Sequence, residues 1–79
     1  MEHYVVILDW ATNDEESVEI LGVFHTFEEA EKLFKTHLDY EHNIAEERGY
    51  VVEEDFSSFE AYAEGYYAAE HTKLYIQGV

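Results

Sequence analysis

The sequence predicts an α+β domain: a small antiparallel sheet packed on one long helix, with a shorter second helix, in the order β-β-α-(β)-α-β. Three observations carry that expectation. Residues 3–24 hold two β-branched apolar runs separated by a polar turn. Residues 26–49 hold one continuous helical pattern with a start and a stop signal. No proline interrupts any of the 79 residues. At that length the whole chain, residues 1–79, is one domain with one core.

The first element is the run around Tyr4, Val5, Val6, Ile7 and Leu8, which reads as a strand over residues 3–10. Residues 11–16 are polar, and Asn13-Asp14 marks the turn. Residues 17–24 alternate and then become apolar through Ile20, Leu21, Val23 and Phe24, so the two runs form an antiparallel hairpin with a loop of about six residues.

Thr26 opens the clearest element. With Glu29 it forms a capping box, in which hydroxyl and carboxylate each satisfy an orphan backbone donor. Phe27, Ala30, Leu33, Phe34, His37, Leu38, Ile44 and Ala45 recur at helical spacing. Arg48-Gly49 supplies a cation and a left-handed stop. The predicted helix covers residues 27–48, roughly 33 Å long at 1.5 Å per residue.

The last third carries weaker signals. Tyr50, Val51 and Val52 suggest a short strand, and Glu53, Glu54 and Asp55 an acidic loop. Ser57 with Glu60 repeats the capping-box spacing, and Phe59, Tyr62, Ala63, Tyr66 and Ala69 fit a second helix that Gly65 weakens. Residues 72–77 alternate and suit a closing strand.

The segment ILGVFHTFEEAEKLF, residues 20–34, joins a glycine-containing strand to a capped helix. Over residues 4–38 the chain resembles small uncharacterised acidic proteins of Firmicutes and their phages. The resemblance implies a β-β-α start and a phage setting. It assigns no functional residue.

Composition excludes more than it names. There is no cysteine, so disulfides and thiolate metal sites are impossible and a reducing compartment is expected. No secretory leader reads in residues 1–8, and no run approaches the roughly 20 apolar residues of a membrane span, so the expected location is cytoplasmic. Nineteen acids against four bases give a net charge of −15. Such a surface repels nucleic acid and anionic membrane alike, so neither is a direct partner.

Catalysis finds little to work with. Ser57 and Ser58 read as caps, and the four glycines form no phosphate-cradling loop, so no catalytic residue or cofactor is assigned and the chain reads as a non-enzyme. His37, Glu41 and His42 share one helix, and His42 stands one turn before Glu46. Two or three ligands do not close a zinc site; the set reads instead as a hydrogen-bonded pair that lets Glu41 sit in the apolar stripe. His25 reads as an exposed residue before the cap. The acidic loop from Asp9 to Glu16 lacks the order of a calcium loop. No metal is expected.

The charge itself is the functional signal. Lys32 and Lys35 neutralise the N-terminal half of the helix through Glu28 and Glu31. Asp39, Glu46 and Glu47 have only Arg48 nearby and oppose the helix dipole. Seven acids between residues 28 and 47 give about one per 4 Å at helical rise, close to the phosphate spacing of one DNA strand. The expected function is therefore an acidic inhibitor or adaptor that occupies the basic surface of a nucleic-acid-binding enzyme, with phage counter-defence (anti-CRISPR or anti-restriction) as the concrete case. Asp39, Glu46, Glu47, Glu53, Glu54 and Asp55 form the expected contact set. The alternative is a self-associating structural or regulatory domain, in which seven tyrosines, among them Tyr62, Tyr66, Tyr67 and Tyr75, build a homodimer and the acids only solubilise.

Overall fold

Thr12 organises the first turn. Its hydroxyl accepts from the backbone N–H groups of Asp14 and Glu15, at 3.3 and 3.2 Å, and its own N–H donates to the Glu15 carbonyl at 2.7 Å. This serine/threonine turn joins β1 (Tyr4–Ala11) to β2 (Glu16–Phe24). The computed structural model describes residues 3–63 and 70–79.

The helix α1 (Phe27–Arg48) forms where its signals place it. The Thr26 hydroxyl accepts from Glu29 N–H at 3.2 Å, and the Glu29 carboxylate accepts from Thr26 N–H at 3.3 Å. Gly49 closes the helix at φ 69°, and its N–H caps the carbonyls of Ala45 and Glu46. A side chain there would meet nothing within 4 Å, so glycine is favoured by backbone conformation alone.

The chain then returns as β3 (Val51–Asp55), β4 (Ser58–Tyr62) and β5 (His71–Gly78). The described elements form one five-stranded antiparallel sheet in the order β2-β1-β5-β4-β3. The expected β-β-α-(β)-α-β order is thus corrected to β-β-α-β-β-β, and the second helix is not what residues 58–62 form. Those residues also alternate, and the alternation wins because it seats Phe59 and Ala61 in the core beside Leu74. Ser57 does not cap a helix. Its N–H donates to the Asp55 carboxylate at 2.9 Å, closing a two-residue hairpin turn through Phe56 and Ser57. That bond holds the Asp55 carboxyl below its usual range. Glu53, Glu54 and Asp55 are edge strand, not loop. Gly65, Tyr66, Tyr67 and Ala69 lie outside the described residues.

The helix covers one face of the sheet. Val6, Phe34, Phe59 and Leu74 are fully enclosed there, with Ala30, Ala45 and Ala61 allowing close approach. Gly22 lies on the covered side, where a Cβ would come within 2.7 Å of the Phe24 ring. Its bareness lets Phe24 fold back beside Leu33. The opposite face has no second layer among the described residues. Among these residues, no helix is long and apolar enough to cross a membrane.

Candidate protein-binding interface and the cavity beneath the helix

All six residues of the expected contact set are exposed. The fold does not bring them onto one surface. Asp39 and Glu46 share the outer face of α1, within about 20° of each other at helical pitch, and Glu47 lies further round. Strand alternation divides the remaining three. Glu54 pairs with Phe59 in register and therefore lies on the helix side of the sheet. Glu53 and Asp55 pair with Glu60 and Ser58, on the open side.

A contact the sequence did not announce ties Glu54 to the helix. His42 Nε2 stands 2.9 Å from its carboxylate, and the His42 ring packs 4.8 Å from Phe59. His42 thus pairs across to β3 rather than down the helix to Glu46. Glu54 therefore lies beside the helix, whereas Glu53 and Asp55 lie on the open side of the sheet.

On the open face, register lines up Glu53, Glu60, Lys73 and Asp9 across four strands. Glu53 and Glu60 are like charges directly opposite, an arrangement that costs stability. Lys73 separates Glu60 from Asp9 and sits 5.2 Å above the Tyr75 ring. His71 Nε2 lies 3.7 Å from the Asp9 carboxylate. Beside this polar row runs an apolar band. Val18, Ile20 and Val23 are each more than half exposed, and Ile7 and Tyr75 continue the band inward.

The described charges are poorly matched. Among the described residues, the lysine- or arginine-to-carboxylate contact within 4 Å is Lys35 with Glu31, at 3.9 Å. The Tyr62 hydroxyl donates to Glu53 at 3.2 Å, and Trp10 Nε1 donates to Glu19 at 2.9 Å.

Glu41 behaves differently from every other described acid. It is the buried charged residue of the core side, 8% exposed. The expected hydrogen bond to His37 is not formed; His37 only lowers the energy of the charged form electrostatically. Burial outweighs this and pushes the Glu41 carboxyl above its ordinary value. The side chain lines a cavity of about 130 Å³ between the C-terminal half of α1 and the adjoining ends of β1 and β5. Trp10, Ile44, Arg48, Tyr50 and Thr72 form much of the wall. At its rim the Tyr50 hydroxyl donates to Glu70 at 2.8 Å, and Arg48 donates to the Tyr50 oxygen at 3.5 Å.

Among the described residues, no group of three or more histidines, cysteines or carboxylates is placed to hold a metal. His25 packs against His3 at 5.0 Å, not against the helix end. The one sequence signal for the cavity was Glu41 itself, a carboxylate at the centre of an apolar stripe. Trp10 and Tyr50 gave none, since only the fold brings them to it. No protein-family model, curated protein or solved structure matches this chain.

Proposed function

We propose that the protein is a non-catalytic acidic binding protein that occupies a basic, nucleic-acid-binding surface on a cytoplasmic partner protein. The observation that carries this reading is the exposed and uncompensated carboxylate surface. Nineteen acids face four bases, which leaves a net −15 that nothing within the chain balances, and among the described residues the lysine- or arginine-to-carboxylate contact is Lys35 with Glu31.

Carboxylates held without counter-charge raise self-repulsion and cost stability. On a partner built to bind phosphates, the same charges steer association and replace released counterions. The helix side suits this role best. Asp39, Glu46 and Glu47 ride on a rigid 22-residue rod, and Glu54 flanks them through His42. Phage counter-defence against a nuclease is the setting in which such a mimic has its clearest use.

The test is capture on the immobilised protein at about 50 mM salt, followed by stepwise elution to about 200 mM, the range over which phosphate-type contacts weaken steeply. A discrete nucleic-acid enzyme should elute sharply and should be displaced by duplex DNA. Reversing Asp39, Glu46, Glu47 and Glu54 to Lys should abolish capture, whereas reversing Glu53 and Asp55 should leave most of it. Capture that survives the first set, or that DNA does not displace, overturns the reading.

The open sheet face favours a second reading. An apolar band of Val18, Ile20 and Val23 exposed on the edge strand β2 is a surface for self-association. In that case the acids oppose assembly, and sedimentation should show a dimer that tightens as salt rises.

A further inference from the structure

A buried carboxylate normally has a partner, because leaving one unpaired in an apolar setting is costly. Glu41 has neither hydrogen bond nor ion pair among the described residues, although it is more than nine-tenths buried. Its oxygens are not sealed off. No described side-chain oxygen or nitrogen is both wholly inaccessible and unbonded, so the carboxylate must remain reachable through the cavity it lines.

The cavity's own groups do not satisfy it. Trp10 directs its N–H to Glu19, and Thr12 directs its hydroxyl to the turn. The charge that acts on Glu41 is His37, through the field alone, and Arg48, one of the wall residues, has its guanidinium engaged with Tyr50, whose hydroxyl goes to Glu70. His71 also lines the cavity, but its Nε2 stands 3.7 Å from the Asp9 carboxylate. The cavity therefore combines a carboxylate with Thr72, Trp10 and Tyr50, beside the engaged Arg48 and His71, in a volume of about 130 Å³. A water needs only about 10–15 Å³, and a cavity of about 150 Å³ takes a benzene-sized molecule. There is room for a small organic group.

We propose that this cavity receives one alkylammonium or guanidinium group, the tip of a lysine or arginine side chain from the basic partner, with Glu41 as its counter-charge and Trp10 and Tyr50 as aromatic walls. The inference rests on the reading of the protein as a binder of basic surfaces, and it adds an anchor to what would otherwise be a diffuse field. A carboxylate with aromatic walls is the chemistry that recognises organic cations, through charge and through ring quadrupoles. A neutral guest leaves the carboxylate uncompensated, and an anion opposes it. The upward displacement of the Glu41 carboxyl by burial is what an acid without its counter-ion shows. One buried, desolvated pair inside a rim of solvated charges is also how interfaces concentrate their energy.

The test needs no partner. Trp10 is the single tryptophan, so its fluorescence reports the cavity directly. The full chain is titrated with n-butylammonium, methylguanidinium and the blocked peptide acetyl-Gly-Lys-Gly-amide, with sodium chloride holding ionic strength constant and n-butanol as the uncharged control. Saturable binding of the organic cations is expected with a Kd of the order of 1–10 mM, as befits ligands of a few heavy atoms. Glu41→Gln should weaken it at least tenfold while the far-ultraviolet dichroism is retained and the melting temperature does not fall. Equal binding to Glu41→Gln, or equal binding of butanol, overturns the proposal. Binding of butylammonium with exclusion of the blocked peptide overturns the side-chain assignment and leaves a free-amine site. If the cations bind Glu41 but no enzyme is captured at low salt, the mimic reading fails alone. If the acid reversals abolish capture and Glu41→Gln does not, the cavity assignment fails alone.

Discussion

The two faces of the sheet are made from the same strands and the same alternation, yet they have opposite fates. On the helix side Val6, Phe59 and Leu74 are fully enclosed. On the other side Val18 and Ile20, equally apolar and β-branched, stand two-thirds exposed. The difference lies in one residue. β2 carries a bulge where Val6 pairs with Gly22 and Ile7 pairs with Ile20, so Leu21 is the extra residue. Without it, Ile20 and Val18 would share the covered face with Gly22 and Phe24. With it they move to the open face, and Leu21 packs against the core. A one-residue change of register moves every following side chain across the sheet. Apolar character makes a strand; it does not say which side of the strand is the core.

The largest test of this contrast is Phe59→Ala. Removing a fully enclosed ring should cost about 3–5 kcal/mol, a large share of what a domain of this size holds, and urea unfolding should show the loss. Phe59→Leu keeps most of the volume and should leave a measurable folded baseline. An effect of Phe59→Ala below about 1 kcal/mol would mean that the covered face is not the core.

A smaller effect separates Glu41 from the acids of the outer surface. Its folded carboxyl binds its proton more tightly than the unfolded chain does. That contribution is present below the ordinary value of about 4.5 and is lost as pH rises through the displaced folded value. Glu41→Gln has no such loss. The melting temperature of the variant should exceed that of the parent by a margin that widens as pH rises above 4.5. His37 on the helix, with Arg48, Tyr50 and His71 at the cavity, are the other charged or titratable groups that face it. A margin that stays constant with pH would place Glu41 among the ordinary surface acids.

The smallest stability effect belongs to the open face. Ile20→Ser should shift unfolding by no more than about 0.5 kcal/mol, because little burial is lost. The same variant decides between the two functional readings. If the apolar band joins two copies, Ile20→Ser should abolish the salt-stabilised dimer in sedimentation. If the protein is monomeric from the outset, sedimentation will not change.

Much of the first half was legible because its signals are local. Thr26, Glu29 and Gly49 fix the helix ends through groups three or four residues apart, and the turn at Thr12 is closed within the loop. The second half misled because residues 57–63 satisfy two periods at once. Phe59, Tyr62 and Ala63 fit a helix; Phe59, Ala61 and Ala63 fit a strand. The hairpin that settles the matter lacks the glycine or asparagine-glycine pair that usually announces one. Among the described residues no non-glycine has a positive φ, so the turn relies on the Asp55 carboxylate instead.

The candidate site divides in the same way. The sequence by itself determined the charge, the exposure of Asp39, Glu46 and Glu47 on a helix facing away from its apolar stripe, and the anomaly of Glu41 within that stripe. These follow from composition and from a fixed helical pitch. Only the tertiary structure decided that Glu54 joins the helix through His42 while Glu53 and Asp55 face the other way. It alone brought Trp10, Tyr50 and Thr72 around Glu41. The physical reason is that a strand's neighbours, and hence its faces, are set by pairing between residues far apart in the chain, and no local rule records which pairing buries the most.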